Sequence, residues 1–268
     1  MLEPQAKGIA VTYDTIIYKT TDNVAVLSLN RPDVMNALTS TLRRELLHAI
    51  THAEQSARAI VITGAGRAFC SGQDLAAFTS LGAKDIERLL RDEYEPLLNA
   101  IYDCPIPTIA AVNGAAVGAG ANLALAADVV IATHSASFIQ SFTRLGLIPD
   151  AGGTYWLPRQ IGMPRAMGAA LFADKISATQ AAQWGMIYEA VPDADFTAHW
   201  QARAAHLAAG PTQAYAHLKH ALRTSYANDL TTQLALEARL QGECGQTQDF
   251  AEGVAAFLEK RTASFQGH

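Results

Sequence analysis

The stretch that decides the fold is residues 113–123, which read NGAAVGAGANL. It follows Pro107–Val112, an apolar run that predicts a buried strand, and the pattern then predicts a short helix over residues 119–126. Small residues at the end of a strand let a ligand approach bare backbone N–H groups. At the start of a helix, such groups and the helix dipole favour negative charge. The stretch therefore predicts a strand–turn–helix unit that either faces a ligand or only makes a tight turn.

Two further glycine-rich turns have the same character. Residues 66–75 read GRAFCSGQDL after the predicted strand Ala59–Thr63, and residues 145–154 read LGLIPDAGGT. Two N–H donors from such turns, aimed at one point, would form an oxyanion hole for an enolate. No GxGxxG or GxxxxGK[ST] pattern is present, so nothing in these turns favours a dinucleotide or P-loop fold.

Outward from these turns, strand and helix patterns alternate through the first two thirds of the chain. Ile16–Tyr18 and Val24–Leu29 predict a hairpin, and residues 39–55 and 84–102 predict helices. After about Ser177 strand patterns almost stop. The helices predicted there are Gln180–Trp184, Asp195–Ala209, Pro211–Arg223, Leu230–Gln241 and Phe250–Lys260. We therefore expect an α/β core domain over residues 1–195 and a helical region over residues 196–268.

Composition narrows the classes of protein. The chain has 268 residues, 50% hydrophobic and only 17% charged, so some apolar surface is expected to be covered by sister subunits. The net charge of −5, without a basic run, disfavours nucleic acid as a partner. Glycine, asparagine and aspartate interrupt the apolar stretch at 109–132, so no membrane span is expected. Three scattered cysteines and the lack of an apolar leader favour a cytoplasmic location. The sequence contains no His/Cys cluster, so no metal site is expected.

Asp74 and Asp150 are the only carboxylates in the three turns. Asp150 follows the apolar run Leu145–Ile148, and a carboxylate against apolar walls tends to have a raised pKa, which suits proton transfer. The alternative is that Asp150 is a turn former, because Pro-Asp-x-Gly is typical of turns.

Together with Leu29–Pro32, Asn36–Leu38 and the closing segment Gly253–Arg261, the three turns resemble the crotonase (enoyl-CoA hydratase/isomerase) superfamily over nearly the whole chain. The resemblance implies a spiral of ββα units with a helical C-terminal trimerisation region. It implies a coenzyme A thioester as ligand, with no cofactor besides the CoA of the substrate. It also implies a homo-oligomer, either a trimer or a dimer of trimers.

The resemblance also implies site residues. The oxyanion-hole donors carry over to the backbone N–H groups of Gln73 and Ala119. Phe257 and Lys260 match positions that help to hold the CoA of a neighbouring subunit in relatives. Phe142 is expected to form the cavity wall, with Phe78 or Tyr155 as a further candidate. The other substrate-binding positions that carry over are Ala68, Ser71, Gly72, Asp74, Leu75, Gly118 and Asn122.

Departures from the family pattern bear on the reaction. The two glutamates with which hydratases activate water fall at Asn122 and Phe142, so neither carboxylate is present, whereas Asp150 matches the catalytic Asp of dienoyl-CoA isomerases. Residues 142–154 and 184–187 resemble the ring-epoxide isomerases of phenylacetyl-CoA breakdown. We therefore expect an isomerase in which Asp150 transfers a proton. The alternatives are a Δ3,Δ2-enoyl-CoA isomerase or a hydratase of fatty-acid oxidation and, more distantly, a non-catalytic or RNA-binding homologue.

Overall fold

The computed structural model describes residues 12–78 and 83–268. Its strands are β1 Ile16–Thr21, β2 Val24–Leu29, β3 Ala59–Gly64, β4 Ala68–Cys70, β5 Thr108–Val112, β6 Ala115–Val117, β7 Val129–Thr133, β8 Ser137–Ile139, β9 Ile176–Ser177 and β10 Glu189–Val191. Its α-helices are α1 Ser40–Ala53, α2 Leu75–Phe78, α3 Ala83–Leu89, α4 Glu95–Tyr102, α5 Ala119–Leu125, α6 Gly153–Phe172, α7 Ala178–Trp184, α8 Phe196–Ala208, α9 Thr212–Thr224, α10 Leu230–Cys244 and α11 Gln248–Glu259. A π-helical turn, Leu90–Tyr94, joins α3 to α4.

From β3 to β8, consecutive strands alternate between two sheets. The larger sheet has the order β1-β2-β3-β5-β7-β10 and the smaller β4-β6-β8-β9. The β1–β2 and β8–β9 pairs are antiparallel, and the other pairs are parallel. Each turn of the chain therefore adds one strand to each sheet and then a helix. This arrangement is the spiral of ββα units that the resemblance implies.

Helix α1 covers one face of the larger sheet with the apolar stripe that its sequence predicts. Leu42, Leu46 and Ile50 are fully buried in the main core cluster. Just before this helix, buried Asn36 has a left-handed backbone, and its Nδ2 donates to the carbonyls of residues 65, 68 and 69 at 2.9–3.1 Å. Asn36 thus holds the backbone of the first glycine-rich turn through these hydrogen bonds. A buried amide is stable only when its hydrogen bonds are made, so the turn and the amide stabilise each other.

The opposite face of the larger sheet is covered by α8. Phe196, Trp200 and Ala204 pack there with Ile109 and Ile131 in a second core cluster. The predicted division between residues 1–195 and 196–268 stays a prediction, although the first helix beyond it packs directly on the core sheet.

The sequence patterns predicted the hairpin, the strands β3, β5 and β7 and the C-terminal helices, but missed the shortest strands and helix α6. Strands β4, β6, β8 and β10 have three residues each and β9 has two, too few for a period-two pattern to show. Helix α6 contains Pro158 and Pro164, and Gly162 interrupts it with φ 76°, so it resembles a loop in sequence. Among the described residues, no helix has the length and apolar character needed to cross a membrane.

Candidate functional site

A cavity of about 300 Å³ lies where the three glycine-rich turns meet α3 and the π-helical turn. Its described walls are mostly apolar. They comprise Ser71, Gly72, Gln73, Leu75, Ile86, Leu89, Leu90, Tyr94, Gly118, Ala119, Ser141, Phe142, Leu145, Leu147, Ile148, Pro149 and Asp150. An apolar cavity with a few converging polar groups is the usual form of a small-molecule site.

The first two turns bring Gln73 and Ala119 together. A Cβ built on Gly72 would lie 2.7 Å from the Val117 oxygen and 3.5 Å from the Ala119 nitrogen, so the turns touch and only glycine fits between them. Gly118, with φ 54°, begins α5 and leaves the Ala119 N–H in its first turn without an intrahelical partner. Among the described residues, neither the Gln73 nor the Ala119 N–H donates to a protein acceptor. Both donors are thus available to a ligand oxygen, as an oxyanion hole requires.

Asp150 is the only carboxylate among the described residues that line this cavity. Its Oδ1 is buried and has no hydrogen-bond partner among the described residues. Burial raises the pKa of Asp150 from 3.8 to about 6, because removal from water penalises the charged form. Such a carboxyl exchanges protons near neutral pH and therefore fits acid–base work.

Asn122 holds the peptide of Asp150 rather than lining the cavity. It is fully buried, its Nδ2 donates to the Asp150 carbonyl oxygen at 2.7 Å, and its Oδ1 accepts from Gln140 Nε2 at 2.8 Å. A Cβ on Gly153 would lie 2.5 Å from Asn122 Nδ2. Asn122, at the position where hydratases are expected to carry a water-activating glutamate, thus holds the loop that contains Asp150.

Only some of the other predicted substrate-binding residues line the cavity. Ser71, Gly72, Leu75, Gly118 and Phe142 line the cavity with the donors and Asp150. Ala68 and Asp74 do not line it.

These two residues have structural surroundings instead. Ala68 is buried within β4, and Asp74 forms an ion pair with Arg31 at 2.9 Å. The side chain of Phe78 lies outside the described residues.

Phe257 and Lys260 lie away from the cavity of this subunit. Phe257 is 83% exposed and lines a separate apolar groove between α9 and α11, and Lys260 ends α11. Nothing within one subunit brings them to the glycine-rich turns, so a role at this site requires a neighbouring subunit.

A second cavity of about 580 Å³ adjoins the first and shares Leu90, Tyr94 and Asp150 with it. Tyr155 lies here, with its ring 4.7 Å from that of Trp156 and under the Arg159 guanidinium at 3.6 Å. Asp150 therefore lies at the junction of an apolar chamber and an aromatic one.

Sequence reasoning missed two residues beside the site, Tyr94 and Arg43. Tyr94 lines both cavities, and Arg43 is 1% exposed behind it. Arg43 lies in α1 among Leu42 and Leu46, where an arginine has the appearance of a solvated helix charge. Only the folded chain shows that it points inward.

Comparisons with known proteins agree with this geometry. The model of the enoyl-CoA hydratase/isomerase family matches residues 19–268. A Rhodobacter capsulatus protein named "Probable enoyl-CoA hydratase" is 63% identical over 257 residues, covering 96% of this chain and 100% of that protein. The 1,2-epoxyphenylacetyl-CoA isomerase of Escherichia coli is 43% identical over 249 residues, covering 91% of this chain and 95% of the isomerase.

A solved structure shows the same fold. The enoyl-CoA hydratase from Bacillus anthracis superposes with a TM-score of 0.91 at 33% identity, covering 95% of this chain and 100% of the other. The family match spans most of the sequence, and the fold and the three turns agree with it. The chain is therefore an enzyme of the enoyl-CoA hydratase/isomerase family.

Proposed function

We propose that this enzyme isomerises an acyl-CoA through a thioester enolate. Its substrate is a ring-1,2-epoxyphenylacetyl-CoA that becomes an oxepin, an enoyl-CoA whose double bond shifts, or both. The N–H groups of Gln73 and Ala119 bind the thioester oxygen. Asp150 takes a proton from the carbon next to the thioester, and the charge moves to that oxygen. The same carboxyl returns the proton farther along the acyl group or assists opening of the epoxide ring.

The proposal rests mainly on Asp150, the one carboxylate among the described residues of an apolar cavity, whose Oδ1 has no partner in that part of the chain. An isomerisation neither gains nor loses atoms, so one group that removes and returns a proton is enough. Hydration adds water across the double bond, and the water must be held and deprotonated. Asn122 is committed to the Asp150 loop, and Phe142 offers no proton acceptor.

Hydration is the second candidate, because the Rhodobacter capsulatus relative carries that name. In that case Asp150 would have to activate water by itself. The 43% identity to the Escherichia coli epoxide isomerase supports the first candidate, and direct assay of both reactions separates them.

The CoA part of the substrate is proposed to extend from the cavity to Phe257 and Lys260 of a neighbouring subunit. The exposure of Phe257 supports this, since a large aromatic side chain on the surface is available to cover a ligand. We propose that the enzyme uses no cofactor other than the CoA of its substrate.

The test compares wild type with Asp150→Asn, and Asp14→Asn serves as the matched control. Asp14 is exposed at the edge of β1, so the same chemical change there removes no cavity group. We expect wild type to isomerise an enoyl-CoA or the phenylacetyl-CoA epoxide and to hydrate crotonyl-CoA very weakly. Asp150→Asn should lower kcat by about 10²–10⁴-fold, as is typical of a lost acid–base group, with product affinity retained. Unchanged kcat in Asp150→Asn, or efficient hydration by wild type, would contradict the proposal.

A further inference from the structure

Arg43 is a buried cation beside the candidate site that the proposed mechanism does not use. Its guanidinium forms an ion pair with Glu93 at 2.7 Å and stacks over the Tyr94 ring at 4.5 Å from the ring centre. Burying an arginine this completely is costly unless its hydrogen bonds are made. Where those bonds go therefore indicates what the residue does.

Two of those bonds converge on the residue that carries the first oxyanion donor. Arg43 Nη1 donates to Gln73 Oε1 at 2.7 Å, and the Tyr94 hydroxyl donates to the same oxygen at 2.8 Å. Arg43 Nη1 also lies 3.2 Å from the Tyr94 hydroxyl oxygen, which accepts from it. The Gln73 side chain is thus held from outside the turn by two donors, one of them charged.

The backbone on both sides of Gln73 is held as well. Leu38 N–H donates to the Gly72 carbonyl at 2.8 Å, and Asp74 N–H donates to the Leu38 carbonyl at 3.1 Å. Arg43 Nη1 lies 3.2 Å from that Leu38 carbonyl, to which it donates. Arg43 therefore contacts Gln73 directly, through the Gln73 side chain. It also contacts Leu38, whose backbone holds the residues on both sides of Gln73.

Tyr94 enters this network because of the π-helical turn Leu90–Tyr94. Single π-turns inside helices are rare and occur often at functional sites. This one places Glu93 against Arg43 and the Tyr94 ring in the cavity wall. Burial raises the pKa of the Tyr94 phenol well above its usual range, so the hydroxyl stays a donor at neutral pH.

We propose that Arg43, Tyr94 and the Gln73 side chain, here termed the Arg43 clamp, position the Gln73 N–H toward the thioester oxygen. The clamp rests on the proposed function, because it acts through the oxyanion donor assigned there. Arg43 and Tyr94 act as positioning residues. Their effect is to hold the Gln73 peptide in one orientation before the enolate forms, so that no reorientation accompanies the reaction.

The experiment uses Gln73→Met, Tyr94→Phe and their double variant, because Arg43 substitutions would remove the ion-pair partner of Glu93. Tyr18→Phe is the control, since it removes a buried hydroxyl that has no partner in the described part of the chain and lines neither cavity. Phenylacetyl-CoA labelled with ¹³C at its thioester carbonyl is bound to each protein. The infrared carbonyl stretch then reports the hydrogen bonds to that oxygen, and thermal unfolding confirms that each variant is folded.

In wild type and Tyr18→Phe the carbonyl band should shift down on binding. In Gln73→Met and Tyr94→Phe the shift should shrink. Their kcat should fall about tenfold, less than the about 10²–10³-fold cost of losing an oxyanion donor outright, with KM changed by less than about threefold. The double variant should lose little more than either single variant, because both act through one contact.

The outcomes separate the two proposals. If wild type turns over substrate and shifts the band but both clamp variants match it, the clamp is wrong and the proposed function stands. If wild type neither turns over nor shifts the band, the proposed function itself fails. The clamp would also be wrong if kcat fell in the variants only in proportion to their melting temperatures while the infrared carbonyl band stayed unchanged.

Discussion

Asp150 combines two properties that a single carboxylate rarely has, burial among apolar residues and access to a ligand cavity. Because its pKa lies at about 6, it acts as a base only above that value. We expect kcat/KM for the isomerase reaction to rise with pH through about 6 and then level off. Initial rates between pH 5 and 8 measure this rise. A flat profile in wild type would show that the Asp150 carboxylate is not the base.

The same burial has a consequence for stability. A carboxyl whose pKa is raised in the folded state stabilises the fold while protonated, below its unfolded value of 3.8, and loses that contribution as the pH rises through about 6. Asparagine mimics the protonated form at every pH. Asp150→Asn should therefore match wild type in unfolding free energy near pH 4 and exceed it at pH 7 by about 1–3 kcal/mol. Urea unfolding at both pH values tests this, and an equal difference at both would contradict it.

At the scale of elements, Asn122 joins α5 to the loop before α6. Its amide bridges Gln140 and the Asp150 carbonyl inside the core. Asn122→Ala would leave Gln140 Nε2 unpaired, at a cost of about 1–3 kcal/mol for a buried group, and would leave the Asp150 carbonyl with only its hydrogen bond from the Gly153 N–H at 2.9 Å. We expect a lower melting temperature and a lower kcat, because the Asp150 loop loses its anchor.

The matched control for this change is Asn228→Ala. Asn228 lies between α9 and α10, where its amide donates to Gln233 Oε1 of α10 at 3.0 Å, but it is only partly buried and does not line the cavity. It should change stability by less than about 1 kcal/mol and leave kcat unaltered. Loss of kcat in both variants alike would indicate general destabilisation instead of an anchor for Asp150.

At the scale of the molecule, the C-terminal helices carry large apolar side chains that are 45–83% exposed in the described chain. They are Leu218, Leu222, Leu230, Leu234, Phe250, Val254, Phe257 and Leu258. Exposed apolar surface of this extent is typical of association. We therefore expect a homotrimer or a dimer of trimers, measured as mass by light scattering at micromolar concentration.

Phe257→Glu should shift that mass toward smaller species, because a charge would enter the contact. Gln248→Glu adds the same charge to an exposed polar position at the start of α11 and should leave the mass unchanged. A monomeric wild type would contradict the prediction.

The sequence by itself determined five strands of the larger sheet, the C-terminal helices and the three glycine-rich turns. Apolar periodicity and glycine act within a few residues of chain, so they can be read without a structure. The third turn made Asp150 a candidate through its apolar neighbours, whereas Gln73 and Ala119 became candidates through the resemblance of the turns to the crotonase superfamily.

Only the tertiary structure decided what surrounds those candidates. Asn122 meets Asp150 across 28 residues of chain, Gln140 meets Asn122 across 18, and Arg43 reaches Gln73 across 30. Contacts at such separations depend on how strands and helices stack, and no local pattern records them. The burial that raises the pKa of Asp150 and turns Arg43 inward arises in the same way, because it is a property of the packed core and of no single segment.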